Sequence, residues 1–198
     1  LGEERFWAGV RRYLKDHPFG NAITDDLRQA FLAATGENLD WFWEQWIYAA
    51  GYPEFAVEAT WDSAAASLRL QVKQVQQDTA TADSSGLRYV TPQVFRMPVT
   101  VRVGMGASEA KVTTWLSARE QEITVPGVTS APTMVSFDDG NTILKQLTFQ
   151  QPTAWLANQL ARDPDLWNRN WAIEQLRGRK DDAESVASLG RAATGSDY

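Results

Sequence analysis

The sequence predicts an α+β chain, with helices at both ends and an antiparallel β-sandwich between them. Three observations predict it. Apolar residues recur at helical spacing from Leu1 to about Ala50, and again from Pro152 onward. Between these ends the pattern switches to alternation, as in Ser67-Leu68-Arg69-Leu70-Gln71-Val72-Lys73. A dense aromatic stretch, Leu39–Pro53, stands at the switch. The divisions that follow are residues 1–53, 54–150 and 151–198.

In the first part, Phe6, Val10, Tyr13 and Leu14 share one helical face, with Arg11, Arg12 and Lys15 opposite. His17-Pro18-Phe19-Gly20-Asn21 breaks that helix. Thr24 is expected as the next N-cap, with Asp25 and Asp26 in the first turn, where the helix dipole favours carboxylates. Leu27, Phe31, Leu32 and Ala34 carry that helix on, and Thr35-Gly36 ends it. A third helix is expected from about Asn38. Trp41, Phe42, Trp46 and Ile47 form its apolar stripe, Gly51 stops it and Pro53 forbids continuation. At that spacing the aromatics read as core or interdomain residues rather than as a carbohydrate-binding platform.

The middle part carries about seven short strands with one polar face each, the pattern of a small sandwich. They fall at Phe55–Asp62, Ser67–Val75, Val99–Val103, Lys111–Leu116, Gln121–Val125, Pro132–Phe137 and Ile143–Phe149. Turn residues separate them at Asp83–Gly86, Gly104–Gly106, Pro126-Gly127 and Asp138–Asn141. Trp61 and Trp115 are expected in the core. Gln77–Pro92, rich in Thr, Ala and Ser, is expected to be a mobile surface loop.

The last part returns to helix. Trp155, Leu156 and Leu160 form one face, Asp163-Pro164 punctuates, and Leu166, Trp167, Trp171, Ala172 and Leu176 form the next. A charged run, Arg179–Asp182, precedes a third helix over Ala183–Ala193. Short helices in series resemble the start of a helical-repeat array. The tail Ala192–Tyr198 is expected to be poorly ordered.

Composition narrows the function classes. The net charge is −6 and no basic run exceeds pairs such as Arg11-Arg12, which argues against nucleic acid as a partner. Cysteine is absent, so disulfides and thiolate metal sites are excluded. No stretch approaches the about 18 apolar residues of a membrane span. The chain starts at Leu1-Gly2-Glu3 and reads as an excerpt of a longer polypeptide.

The search for chemistry is mostly negative. The single histidine, His17, sits in a helix-ending loop, and one histidine without cysteine is a poor start for zinc. No G-x-S-x-G is present, and Gly104-Met105-Gly106 reads as a hairpin turn rather than a phosphate loop. Glu37, Asp40 and Glu44 form one carboxylate grouping, read as solvated and helix-dipole residues rather than a glycosidase pair. Asp138-Asp139-Gly140-Asn141 has the oxygen-rich look of a calcium loop but lacks EF-hand spacing, so a tight turn is expected.

The order of phrases carries a resemblance. Leu1-Gly2-Glu3-Glu4-Arg5-Phe6-Trp7, Tyr13-Leu14, Ile23-Thr24-Asp25-Asp26-Leu27, Trp43-Glu44-Gln45-Trp46 and Gly51-Tyr52-Pro53 come in sequence, followed by strands and then helices. This order resembles the aminopeptidase N-type zinc metallopeptidases, the gluzincins, downstream of their H-E-x-x-H motif. The resemblance implies an α+β multidomain fragment: the C-terminal helices of a thermolysin-like domain, the sandwich, and the opening of a C-terminal helical domain. It also implies a parent that removes N-terminal residues from peptides. The parent's zinc would be held by H-E-x-x-H and a downstream glutamate, with a G-x-M-E-N-type loop and an oxyanion-stabilising tyrosine. None of those motifs is present, so no catalytic, cofactor-binding or metal residue is assigned, and Tyr13, Tyr48 and Tyr52 are not given the oxyanion role. The fragment is expected to bind no zinc and to self-associate through exposed faces such as Phe6/Val10 or Trp167/Trp171. The alternative is a protein-interaction scaffold from a relative that has lost its metal site.

Overall fold

Two acidic residues, Glu3 and Glu4, open the first helix and Lys15 lies in its last turn, so its charges complement the helix dipole. In this computed structural model the described residues are 1–77, 80–82, 84–86 and 88–195, with backbone only at 80 and 81. Helices α1 (Glu3–Asp16), α2 (Thr24–Thr35) and α3 (Asp40–Trp46) come first. Strands β1 (Glu54–Asp62), β2 (Ser67–Gln74), β3 (Ala80–Ala82), β4 (Arg88–Val90) and β5 (Met97–Met105) follow. Then come β6 (Ser108–Leu116), β7 (Glu120–Pro126), β8 (Met134–Phe137) and β9 (Gln146–Phe149). Helices α4 (Thr153–Arg162), α5 (Leu166–Arg177) and α6 (Ala183–Thr194) close the chain. The elements sort into two units, Leu1–Gly51 with Asp78–Pro92, and Tyr52–Gln77 with Gln93–Tyr198.

In the first unit α1 and α2 pack at a glycine. A Cβ on Gly9 would lie 2.6 Å from the Phe31 ring, so only glycine admits that ring. Phe6 reaches the same ring, with centroids 5.8 Å apart. Arg5 ties the two helices further, donating to the Thr35 carbonyl at 2.9 Å and pairing with Glu37 at 2.7 Å. The cap of α2 differs from the expectation. Thr24 is the first helical residue; the cap is Ile23, whose N–H donates to Asp26 Oδ2 at 2.8 Å. Gly36 ends α2 in the left-handed conformation, as the Thr35-Gly36 phrase predicts.

The aromatic helix is shorter than expected and buries a different residue. α3 stops at Trp46, and Gly51 lies beyond it. Gly51 has φ +78° and packs against Thr91, where a Cβ would come within 2.8 Å of Oγ1. The buried ring is Trp43, whereas Phe42 and Ile47 are exposed and Trp41 and Trp46 are half-buried. Trp43 Nε1 has no hydrogen-bond partner among the described residues. The Gln77–Pro92 segment contains a two-stranded hairpin, β3 with β4, where only loop was expected. Residues 78, 79, 83 and 87 of that segment, part of the expected Asp83–Gly86 turn among them, lie outside the described residues.

The second unit is built on two sheets, in the orders β7-β2-β1-β9 and β6-β5-β8. In β2 the alternation holds: Leu68, Leu70 and Val72 are buried while Arg69, Gln71 and Lys73 face solvent. Val99, Val101 and Val103 of β5 supply the matching apolar row, and Phe55 of β1 meets Phe137 of β8 at 5.3 Å. The pairing is antiparallel except for β1 with β9, which run parallel from Glu54↔Gln146 to Val57↔Phe149. The β5–β6 hairpin turns at Gly106, one step past the centre of the expected Gly104–Gly106 turn. Trp61 is half-buried and donates to the Val128 carbonyl at 3.1 Å. Trp115 is no core residue: it is exposed, on the solvent side of the hairpin's outer strand.

Helices α4–α6 form as the spacing predicts. Asp165 and Asp182 cap α5 and α6 through their carboxylates. Leu156, Leu160, Ala172 and Leu176 are buried, but Leu166 and Trp167 are exposed. Of the tail expected to be loose, Ala192–Thr194 completes α6, and 196–198 lie outside the described residues.

Because Trp43, not Trp46, is the buried ring, Trp43→Ala should cost about 3–5 kcal/mol and Trp46→Ala distinctly less. Urea denaturation of the two variants side by side measures the order.

Candidate functional site

The residues that sequence reasoning singles out do not assemble into one centre. His17 follows α1: its backbone N–H donates to the Tyr13 carbonyl at 3.1 Å, and its ring lies 5.4 Å from the Tyr13 ring. Of the other tyrosines, Tyr48 and Tyr52 are largely exposed. Glu37 is engaged by Arg5 and Asp40 by Arg28, at 2.5 Å, so these carboxylates serve different arginines. Asp40 lies below the ordinary carboxylate range because Asn38, and then Arg28, hydrogen-bond it. Glu44 is exposed. The aromatics of α3 meet edge to face, Trp41 with Phe42 at 86° and Phe42 with Trp43 at 88°, which is not the flat surface that sugar stacking needs.

The Asp138–Asn141 turn is the exception, because it organises the buried charge of the second unit. Asp138 ends β8 in the left-handed region at φ 57° and is fully buried. Its Oδ1 accepts from Thr142 N at 3.1 Å and Thr142 Oγ1 at 2.8 Å. Its Oδ2 accepts from Ile143 N at 3.0 Å and Lys145 Nζ at 2.5 Å. Lys145 Nζ also donates to Asn141 Oδ1 at 2.8 Å. The oxygen-rich turn therefore already holds a cation, the ammonium of its own Lys145.

Asp139 faces a different partner. Its Oδ1 accepts from Arg102 Nε at 2.8 Å and Asn168 Nδ2 at 3.0 Å, and its Oδ2 accepts from Lys111 Nζ at 2.9 Å. Arg102 Nη2 continues to Asp163 Oδ2 at 2.6 Å, and that carboxylate is completely buried. Burial opposes ionisation of Asp139, but the hydrogen bonds from Lys111 and Arg102 and the charge of Arg102 outweigh it, leaving its pKa below the usual value. Arg102 is likewise desolvated, yet Asp139 and Asp163 raise its pKa. Sequence reasoning missed this network. In Val99-Thr100-Val101-Arg102-Val103 the alternation marks Arg102 as a solvent-facing residue. It is only 7% exposed because Asp163, in the link between α4 and α5, covers it.

Chemically, these groups neutralise one another. Asp138 is saturated with donors, and Asp139 and Asp163 are both engaged by Arg102. A catalytic zinc does not fit the residues present: His17 packs at a tilt beside Tyr13, and among the described residues no three His, Asp or Glu side chains are placed to hold a metal.

Comparison with known proteins gives the context. Residues 1–46 match the model of the Peptidase family M1 domain. The chain is 26% identical over 193 residues to puromycin-sensitive aminopeptidase of Caenorhabditis elegans, covering 96% of this chain and 19% of that protein. The chain is related to the M1 aminopeptidases. Aminopeptidase N of Lactococcus lactis subsp. cremoris is 35% identical over 63 residues, 32% of this chain and 7% of the relative. Legionella pneumophila aminopeptidase A, solved with aspartic acid, shares the fold of the whole chain at TM-score 0.76 and 16% identity, over 23% of its own length. The chain thus spans about a fifth of the length of the aminopeptidases it matches end to end. The M1 domain match ends at Trp46, the last residue of α3.

Two outcomes test the charge network. Lys145→Met leaves Asp138 buried without its cation and should destabilise the second unit by about 3–5 kcal/mol in urea unfolding. The folded pKa of Asp139 lies below its unfolded value near 3.8. Its contribution is therefore present above that value and is lost as pH falls through the folded pKa. Between about pH 5 and about pH 2 the melting temperature should fall less in Asp139→Asn than in the unmodified chain.

Proposed function

We propose that this chain is a non-catalytic, architectural portion of a zinc-dependent aminopeptidase that removes N-terminal residues from peptides. The similarity to puromycin-sensitive aminopeptidase, running through nearly the whole chain, carries the reading. On it, residues 1–53 are the last helices of a thermolysin-like catalytic domain, 54–150 a β-sandwich, and 151–198 the opening of a helical-repeat domain. Two sheets whose apolar faces meet at Phe55 and Phe137 support the sandwich assignment. Three short helices with their own buried cluster support the last.

The chain's work in such an enzyme is spacing and orientation. Zinc would polarise the peptide carbonyl and activate water from ligands outside these residues. Asp40, Asp138, Asp139 and Asp163 are committed to arginine and lysine partners, which supports a structural rather than a proton-transferring role for them. Phe6 and Trp167, about half exposed and more, would then be covered by further polypeptide or by a second copy in the isolated chain.

Metal analysis and a reporter assay test this reading. The purified 198-residue chain should hold no stoichiometric zinc and should leave aminoacyl-anilide reporters uncut. One tightly bound zinc per chain, or reporter turnover that a chelator abolishes, sinks it. A parent polypeptide that binds no zinc would favour the scaffold alternative.

A further inference from the structure

Helices α4–α6 have a hydrophobic core of their own. Leu156, Leu160, Ala172 and Leu176 form one buried cluster, packed by Trp171, Ile173, Leu189 and Ala192, and among the described residues no strand contributes to it. The seam that joins these helices to β5 and β8 is of another kind. Arg102 reaches Asp163 at 2.6 Å, Asn168 reaches Asp139 at 3.0 Å, and Ser136 donates to Asn168 Oδ1 at 3.2 Å. Arg102 and Ser136 are direct neighbours across β5 and β8, so these links leave the sheet from one place. Gln151, just before α4, donates to the Val135 carbonyl at 2.6 Å and accepts from Trp171 Nε1 at 3.1 Å. Where apolar groups of the two sides approach, at Phe137, Phe149, Trp167 and Trp171, a cavity of about 120 Å³ remains. A seam joined by charge around a void lacks the interdigitation that locks a core against sliding.

We propose that this seam is a hinge latched by Arg102: α4–α6 detach from β5 and β8 as one body when the guanidinium releases Asp163. The helices keep their own buried cluster on release, so the cost of opening falls on the polar links. Asp163 sits in the link between α4 and α5, so the latch holds the body between its first two helices. The other charges around Arg102 are Glu109 at 3.6 Å and Asp139, itself held by Lys111; all three lie on the sheet side and stay there. Nothing in this hinge requires the peptidase reading.

Amide hydrogen exchange on the full chain, read by mass spectrometry, tests it with Arg102→Met and Asp163→Asn. The second variant keeps the side chain's size and removes its charge. Amides of α4–α6 should speed up together by about tenfold or more, the effect of losing one charge-assisted hydrogen bond, while those of β1, β2 and β7 stay unchanged. A rise spread evenly over strands and helices, or no rise at all, overturns the hinge. Should Arg102→Met fail to fold, Asp163→Asn decides by the same criterion.

Discussion

A guanidinium taken out of water is costly unless carboxylates meet it, and Arg102 is such a group. It sits on the strand face opposite the apolar row of Val101 and Val103, where alternation ordinarily leaves a side chain to solvent. Covering that face with the α4–α5 link obliges the fold to bring Asp139 and Asp163 to it. The solution is economical in sequence. Adjacent residues of one turn, Asp138 and Asp139, serve two separate cations, Lys145 and Arg102. The left-handed backbone at Asp138 ends the strand at the point where the two carboxylates diverge. The Asp138–Asn141 turn and the α4–α5 link are thereby held by charge.

Much of the fold was legible because much of it is local. Leu68, Leu70 and Val72 alternate with charged neighbours, and the strand they predict forms with that face buried. Leu156, Leu160, Ala172 and Leu176 recur at helical spacing and meet in one cluster. Failures arise where distant residues decide. The parallel partnership of β1 with β9 joins the first and last strands of the second unit and leaves no periodic trace. Ala80–Ala82 is only three residues long with a single β-branched member, Thr81, too short to mark a strand, and its pairing with Arg88–Val90 supplies what the composition does not. Trp115 shares its strand face with Lys111 and Thr113, the solvent side of the outer strand of its sheet, so its bulk suggests a core place that the alternation does not give. Among the crowded aromatics of α3, spacing alone cannot rank which ring is buried; the packing selects Trp43. The charge network was illegible for the same reason: Arg102, Asp139 and Asp163 are far apart in sequence, and each looks like an ordinary surface residue.

The aromatic helix and the charge network divide the labour of recognition and architecture. Residues 1–46, which end on that helix, are the part that matches the M1 domain. The network lies wholly in the second unit, beyond that match. The segment that matches the M1 domain is thus separate from the most organised polar groups, which serve the packing of strands on helices.

The parallel pair of β1 and β9 also bears on how the chain is made. β1 is synthesised early and pairs at once with β2 across a short turn, but its other edge has no partner until Phe149 has emerged. Until then the nascent sheet presents an open row of backbone donors and acceptors, the kind of edge that recruits stray strands. β9, the last strand of this sheet in chain order, is thus the one that covers the second edge of β1. The four-stranded sheet cannot mature progressively during synthesis; it waits for its distal end, and its slowest folding step should be this closure over a long loop.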